Sequence, residues 1–404
     1  MKVERAKNPK VAFALVGIIL LSLFAFQIGR ASQIATTNYV LETPLPIADV
    51  YVGQYSNTSY FAVNGSNWDN FVVSSNASYV INSAFDCLTV GREWQETVLL
   101  TGLFTIDSPI QIPNYTHFIL QGGITLDNGI SCNILENADG AACEVTIEGG
   151  YLYGVDGGAG SYAGIAWNQT SDAPYYHRTV NIKNVYIEMG SGGSTVGIYF
   201  RSGSWSYNII PHFSNVKAVG YSYGIYLYGI TDGDFAQIYC GVHDTASYAF
   251  YLYGGGWSII DGLNTDGPVY FYASRGITLA NLRVDVMNRN MHGLSLIGTQ
   301  SCTVSNGAIF FANPSGGYNT KSAVRLEKRG TSYPLEYSLY NSVSNIYCGR
   351  AVLTDTGQYW LYGVDEAESS VYVDYNLFSN INANDTLSGN NVQGTHSNIT
   401  NSLP

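Results

Sequence analysis

Charge is scarce in this chain. Asp, Glu, Lys and Arg together make up 12% of 404 residues, against about 25% in typical domains. That shortage argues against a helical bundle, whose exposed faces are built from charged helix formers. No block of basic residues occurs, which excludes nucleic acid as a partner. No CxxC pair occurs among Cys87, Cys132, Cys143, Cys240, Cys302 and Cys348, which excludes a thiolate zinc site. An external location permits disulfides, but sequence chooses no pairing, and buried free thiols are the expectation.

Tyrosine (33) and glycine (44) are abundant instead. Aromatic residues between tight turns suit short strands. The net charge is −12; residues 1–30 carry Lys2, Arg5, Lys7, Lys10 and Arg30 against Glu4, so the rest of the chain holds −16. The basic stretch MKVERAKNPK precedes VAFALVGIILLSLFAFQIG (11–29), 19 residues without a charge. That length spans a bilayer as a helix. It predicts an uncleaved signal anchor with the basic flank in the cytoplasm and the remainder outside; the alternative is a cleaved signal and a secreted protein. Sequons begin at Asn57, Asn64, Asn76, Asn114 and Asn168, with two more at Asn384 and Asn398. They predict glycosylation in an extracellular chain.

Two elements repeat. One reads GIYFRSG (197–203), GIYLYG (224–229), AFYLYGG (249–255), VYFY (269–272), GLSLIG (293–298) and AVRLEKRG (323–330). The other is an apolar strand, an asparagine and a second short strand. It places Asn184, Asn215, Asn281, Asn306, Asn345 and Asn380 at corresponding positions, with Gln237 and Gly262 in two intervening turns. Short strands separated by polar turns at a regular period indicate a solenoid. Asparagine at a recurring corner has a physical reason: it tolerates left-handed backbone angles, and stacked amides can bond from coil to coil.

This pattern resembles the right-handed parallel β-helix of the pectin-lyase-like superfamily over about residues 78–383. The start of the stack is similar too. SYVINSAFDCL (78–88) reads as a short amphipathic helix, and ETVLLTGLFTIDSPIQIPNYTHFILQGG (96–123) as the first coils, as in pectate-lyase-like and tailspike-like proteins. The expected organisation is therefore an all-β, right-handed parallel β-helix with an N-terminal transmembrane helix. Residues 1–30 form the cytoplasmic flank and anchor, 31–77 an extracellular polar linker leading into the coils, 78–383 the β-helix, and 384–404 a polar disordered tail.

Alternation within the strands turns Ile225, Leu227, Phe250, Leu252, Val269 and Phe271 inward. Tyr199, Tyr226, Tyr228, Tyr251, Tyr253, Tyr270 and Tyr272 turn outward as an aromatic ladder. The functional reading of the ladder is a platform on which sugar rings stack; the structural reading is cross-strand support of the sheet.

Three strings could add chemistry: NTDG (264–267), MHGLSLIG (291–298) and AVRLEKRG (323–330). Repeat alignment places Asp266, His292 and Arg325 near one edge on successive coils. These strings resemble pieces of the polygalacturonase family, whose members carry an NTDG-like acidic stretch, an Asp pair one coil later, a His-Gly strand and an Arg-x-Lys. Asp266 matches the first and His292-Gly293 the third, while Arg325 with Lys328 has one residue too many between them. NTDG runs into Pro268-Val269, and no Asp-Asp pair follows; Glu327 is a further carboxylate outside any motif. The resemblance implies catalysis by Asp266, His292, Arg325 and Lys328. A lyase reading needs a base and often calcium, for which Asp232 and Asp234 are the candidate ligands. The sequence thus predicts a membrane-anchored protein at the cell surface that binds polysaccharide or surface glycan and cleaves it as a lyase or glycoside hydrolase. The alternative is a non-catalytic adhesion or structural β-helix.

Overall fold

The computed structural model describes residues 48–400 except 57, 139, 141–142, 155–159, 171–178, 191–192, 203–208, 289, 313–318, 330–336, 351–359, 367–372, 384–385, 387 and 394–396. The predicted anchor (11–29) lies outside these residues; among the described residues no helix is long and apolar enough to cross a membrane.

Each coil has three outer faces. The first two are halves of one strand, as in Ile210–Gly220, Asp234–Val242 and Thr278–Val286. They meet at a residue with left-handed φ: Asn184, Asn215, Gln237, Gly262, Asn281, Asn306, Asn345 or Asn380, all between 52° and 74°. Ladder pairing skips that residue and resumes beyond it, as between Ser214↔Ala236 and Val216↔Ile238. The corner is therefore a bend that every coil repeats in step. The asparagine amides stack there as the sequence predicts. Asn215 Nδ2 donates to Asn184 Oδ1 (2.9 Å), Asn345 to Asn306 (3.0 Å), and Asn380 to Asn345 (2.8 Å).

The third face is a ten-stranded parallel sheet that contains Tyr223–Tyr228, Tyr248–Tyr253 and Val269–Tyr272. Its inward residues, from Ile225 and Leu227 to Phe271, are fully buried, while the tyrosines beside them are half-buried. The inside–outside alternation stands. Stacked edgewise rings such as Phe213 and Phe235 (5.1 Å, 87°) fill the interior. All six cysteines are free thiols, and Cys143, Cys240, Cys302 and Cys348 are buried.

One end of the stack is closed by helix α1 (Ala77–Asp86), whose Val80, Ile81, Ala84 and Phe85 face the core. Asn76 caps it, accepting from the Tyr79 N–H. Ahead of it, within the segment read as a linker, Val50–Ser56, Ser59–Asn64 and Asn70–Ser74 form an antiparallel sheet, and Val50–Ser56 pairs with the first coil strand, Glu96–Ile106. At the other end, part of the segment read as a tail is stacked. Asn398–Thr400 pairs with Leu377–Asn382, and Asn391 Nδ2 donates to Asp365 Oδ1 (2.7 Å). Polar residues hold that segment through hydrogen bonds, which hydropathy patterning does not reveal.

Candidate functional site

The third face presents three columns of tyrosine. Tyr199, Tyr226, Tyr251 and Tyr270 occupy one register line across successive strands. Their ring centroids are 5.3, 4.9 and 5.1 Å apart, with interplanar angles of 30°, 4° and 12°. Tyr228, Tyr253 and Tyr272 form the second column, at 4.7 and 5.1 Å. Tyr223 and Tyr248 flank the first column on its other side and pack edgewise or tilted against it. Burial holds Tyr226 up to about 12, and holds Tyr251 and Tyr270 above the ordinary phenol range as well. Arg201 approaches Tyr228, 5.9 Å from the ring centroid. Arg329 lies over Tyr272 (4.8 Å) and donates to the Tyr272 and Tyr253 hydroxyls at 3.1 and 2.9 Å.

The geometry limits where a sugar ring could lie flat on this ladder. A sugar stacks on a free aromatic face, and the faces between neighbouring rings of the first column are taken up by those rings. Strand spacing of about 4.8 Å brings outward rings on adjacent coils within stacking distance, so the ladder stabilises itself.

The proposed catalytic residues fall on different faces. Asp266 ends the second face of its coil. Its in-register neighbour is Asp285, the second face's outward residue one coil on, and not His292. Among the described residues no hydrogen bond or ion pair joins Asp266 to His292 or Arg325. His292 sits in the turn before the third face and accepts from the Ser322 N–H through Nδ1 (3.1 Å). Its burial, with Arg325 and Lys321 nearby, lowers it to about 4, so it is neutral near pH 7. Arg325 lies on the third face, one register step beyond Ser295 and two beyond Tyr270, and pairs with the buried carboxylate of Asp365. Lys328 follows the end of strand Ser322–Glu327 and is half-buried. Asp232 is itself a corner residue with φ 52°, and Asp234 is exposed two positions on. Among the described residues no three His, Cys, Asp or Glu side chains are grouped as metal ligands, so no step is derived through calcium.

The second face carries a strip that the sequence reading missed. Tyr151, Tyr186, Lys217, Tyr239, Asn264 and Arg283 share one register line. Lys217 sits between two rings, 4.4 Å from the Tyr186 centroid and 5.2 Å from that of Tyr239. Its Nζ donates to the Tyr186 hydroxyl (3.1 Å), which bonds Glu188. The Tyr239 hydroxyl donates to Asp266. Burial first, and then the bond to Asp266, hold Tyr239 well above the usual phenol range. Asp285 is bonded by Arg283 (2.9 Å), and its Oδ1 is buried without a hydrogen-bond partner. The signal was present in VDV (284–286), but placing Asp285 beside Asp266 requires the register across the intervening third-face strand.

Of the sequons, Asn76 has both ends of its amide engaged, since Nδ2 donates to Asp107 (2.9 Å). Asn114 is half-buried and accepts from the Cys143 N–H, while Asn64, Asn168 and Asn398 are exposed. Asn57 and Asn384 lie outside the described residues.

No family model and no curated protein sequence matches the chain. Solved structures do. The A-module of mannuronan C-5 epimerase AlgE6 from Azotobacter vinelandii aligns with a TM-score of 0.53 at 17% identity, over 81% of this chain and 96% of that one. The AlgE4 A-module from the same organism gives 0.52 at 16%, over 80% and 96%. A tailspike double mutant of E. coli bacteriophage HK620 gives 0.50 at 11%, over 81% and 61%. At these identities the likeness defines the fold alone: a right-handed parallel β-helix.

Proposed function

We propose that this protein binds polysaccharide along its outer walls and hydrolyses it at Asp266 and Asp285. The observation that carries the binding reading is the half-exposed tyrosine wall of the third face, bordered by Arg201 and Arg329. Aromatic surface with hydroxyl groups suits glycans. The likeness to epimerase modules and a tailspike supports the same reading at the level of the fold. Hydrolysis draws on two carboxylates in register on adjacent strands, with Tyr239 and Arg283 orienting one each. Adjacent parallel strands stand about 4.8 Å apart, close to the roughly 5–5.5 Å between carboxyls in retaining glycosidases. One carboxylate would attack the anomeric carbon while the other protonates the leaving oxygen, and water then releases the glycosyl ester.

A non-catalytic adhesion role is the second reading. It is favoured by the buried Oδ1 of Asp285, an atom withdrawn from any substrate. We place the protein at the cell surface, held by residues 11–29 with the β-helix outside; secretion is the alternative. The test is to screen the full-length protein against a polysaccharide panel for binding and for newly released reducing ends. Binding with release supports the hydrolase, binding alone supports adhesion, and neither removes the glycan reading.

A further inference from the structure

The first tyrosine column has its rings occupied and its tips free. Tyr226 and Tyr251 are nearly parallel at 4.9 Å, and Tyr251 and Tyr270 at 5.1 Å. Tyr223 and Tyr248 close one side of the column. Tyr272 stands on the other side, 5.9 Å from Tyr270. Of the rings within the column, Tyr226 and Tyr251, little is left to a ligand except the outer edge and hydroxyl; at the ends, Tyr199 is followed in register by Ala166 and Tyr270 by Ser295.

Those hydroxyls are not used by the protein. Among the described residues, Tyr199, Tyr226, Tyr251 and Tyr270 make no hydrogen bond through their side chains, and none of their oxygens is sealed from solvent. The second column differs, because Arg329 donates to the hydroxyls of Tyr253 and Tyr272. A phenol hydroxyl both donates and accepts. Burial raises the Tyr226, Tyr251 and Tyr270 phenols and keeps those three protonated throughout the neutral range. The column is therefore a straight row of uncharged donor–acceptor groups repeating once per coil.

We propose that this row, and not the ring faces, reads the glycan: an extended linear polysaccharide runs parallel to the solenoid axis, and successive sugar units bond to successive tyrosine hydroxyls. This rests on the polysaccharide-binding reading above and specifies its chemistry. The row recognises sugar hydroxyls through neutral hydrogen bonds, so binding is insensitive to salt. With four tyrosines in the column, affinity should rise with chain length up to about four units, one per hydroxyl, and then level off.

The experiment compares two triple variants of the full-length protein. Tyr226→Phe/Tyr251→Phe/Tyr270→Phe keeps the stack and removes only the hydroxyls. Tyr226→Ala/Tyr251→Ala/Tyr270→Ala removes both. Cellohexaose, mannohexaose, hexagalacturonate and hexamannuronate are the probes, with binding read by calorimetry and folding by melting temperature. The Phe variant should melt like the parent and bind the preferred probe roughly a hundredfold more weakly, as expected for three lost hydrogen bonds. If the Phe variant binds like the parent and only the Ala variant loses affinity, ring contact is the mode; the inference falls while the glycan reading stands. If the parent binds and neither variant changes, the site lies elsewhere and the inference falls. If the parent binds no probe, the glycan reading falls and takes the inference with it.

Discussion

Asp266 and Asp285 stand opposite one another on adjacent parallel strands, the first bonded by the Tyr239 hydroxyl and the second by Arg283. If the pair performs hydrolysis, Asp266→Asn and Asp285→Asn should each lower turnover by about 10²–10⁴-fold, the usual range for a positioned acid or base. Binding should be nearly unchanged. The anomeric configuration of the first-formed product, followed by NMR, should be retained. An inverted product would rule out this pair as acting in the retaining manner.

His292 gives the folded protein a titration of known sign. Its folded pKa is about 4 against an ordinary 6.5, lowered by burial and then by Arg325 and Lys321, with Asp365 acting in the opposite direction. Between those values the unfolded chain binds a proton that the folded chain refuses. Stability should therefore be full above pH 6.5 and fall as the pH drops toward 4, by up to about 3 kcal/mol. His292→Asn should flatten that part of the profile in denaturant titrations. An unchanged slope would assign the acid sensitivity to other groups.

Asn345 donates to Asn306 and accepts from Asn380 while holding φ at 53°. Asn345→Ala loses both amide bonds and strains the corner, and should destabilise by about 2 kcal/mol. Asn345→Gly relieves the backbone part alone and should recover roughly half of that loss. Chemical denaturation of the two variants separates the contributions. Equal losses would mean that the corner angle is of no consequence.

Most of this architecture was legible because it is periodic. The alternation of Leu227 with Tyr226 and Tyr228 assigns inside and outside, and the recurring asparagine marks the bend. The amphipathic pattern of SYVINSAFDCL (78–88) marks the helix that closes the stack, while its Asn76 cap emerges only from the structure. What could not be read depends on register and on what fills space. Asp285 meets Asp266 only because the third-face strand and its two turns return the chain in step. Arg329 reaches Tyr253 from three coils away. That ring faces would be occupied follows from strand spacing, but only once Tyr226 and Tyr251 are known to share a register line.

The N-terminal segment tests the placement of the protein. Residues 11–29 should retain the expressed chain in the membrane fraction, with protease reaching the β-helix only from outside. Recovery of the chain in the medium with a new N-terminus after about residue 30 would show cleavage and secretion.

The tyrosine row also has a modular length. Neighbouring coils are related by little more than a translation along the axis, and each contacts chiefly the coils beside it. Excising the single turn that bears Tyr248, Tyr251 and Tyr253 would take one member from each column and let Tyr226 and Tyr228 close onto Tyr270 and Tyr272. Inserting a copy would extend the row by one step. In such a molecule the reach of a surface is an integer, set by counting turns, and can change without redesigning any contact within a turn.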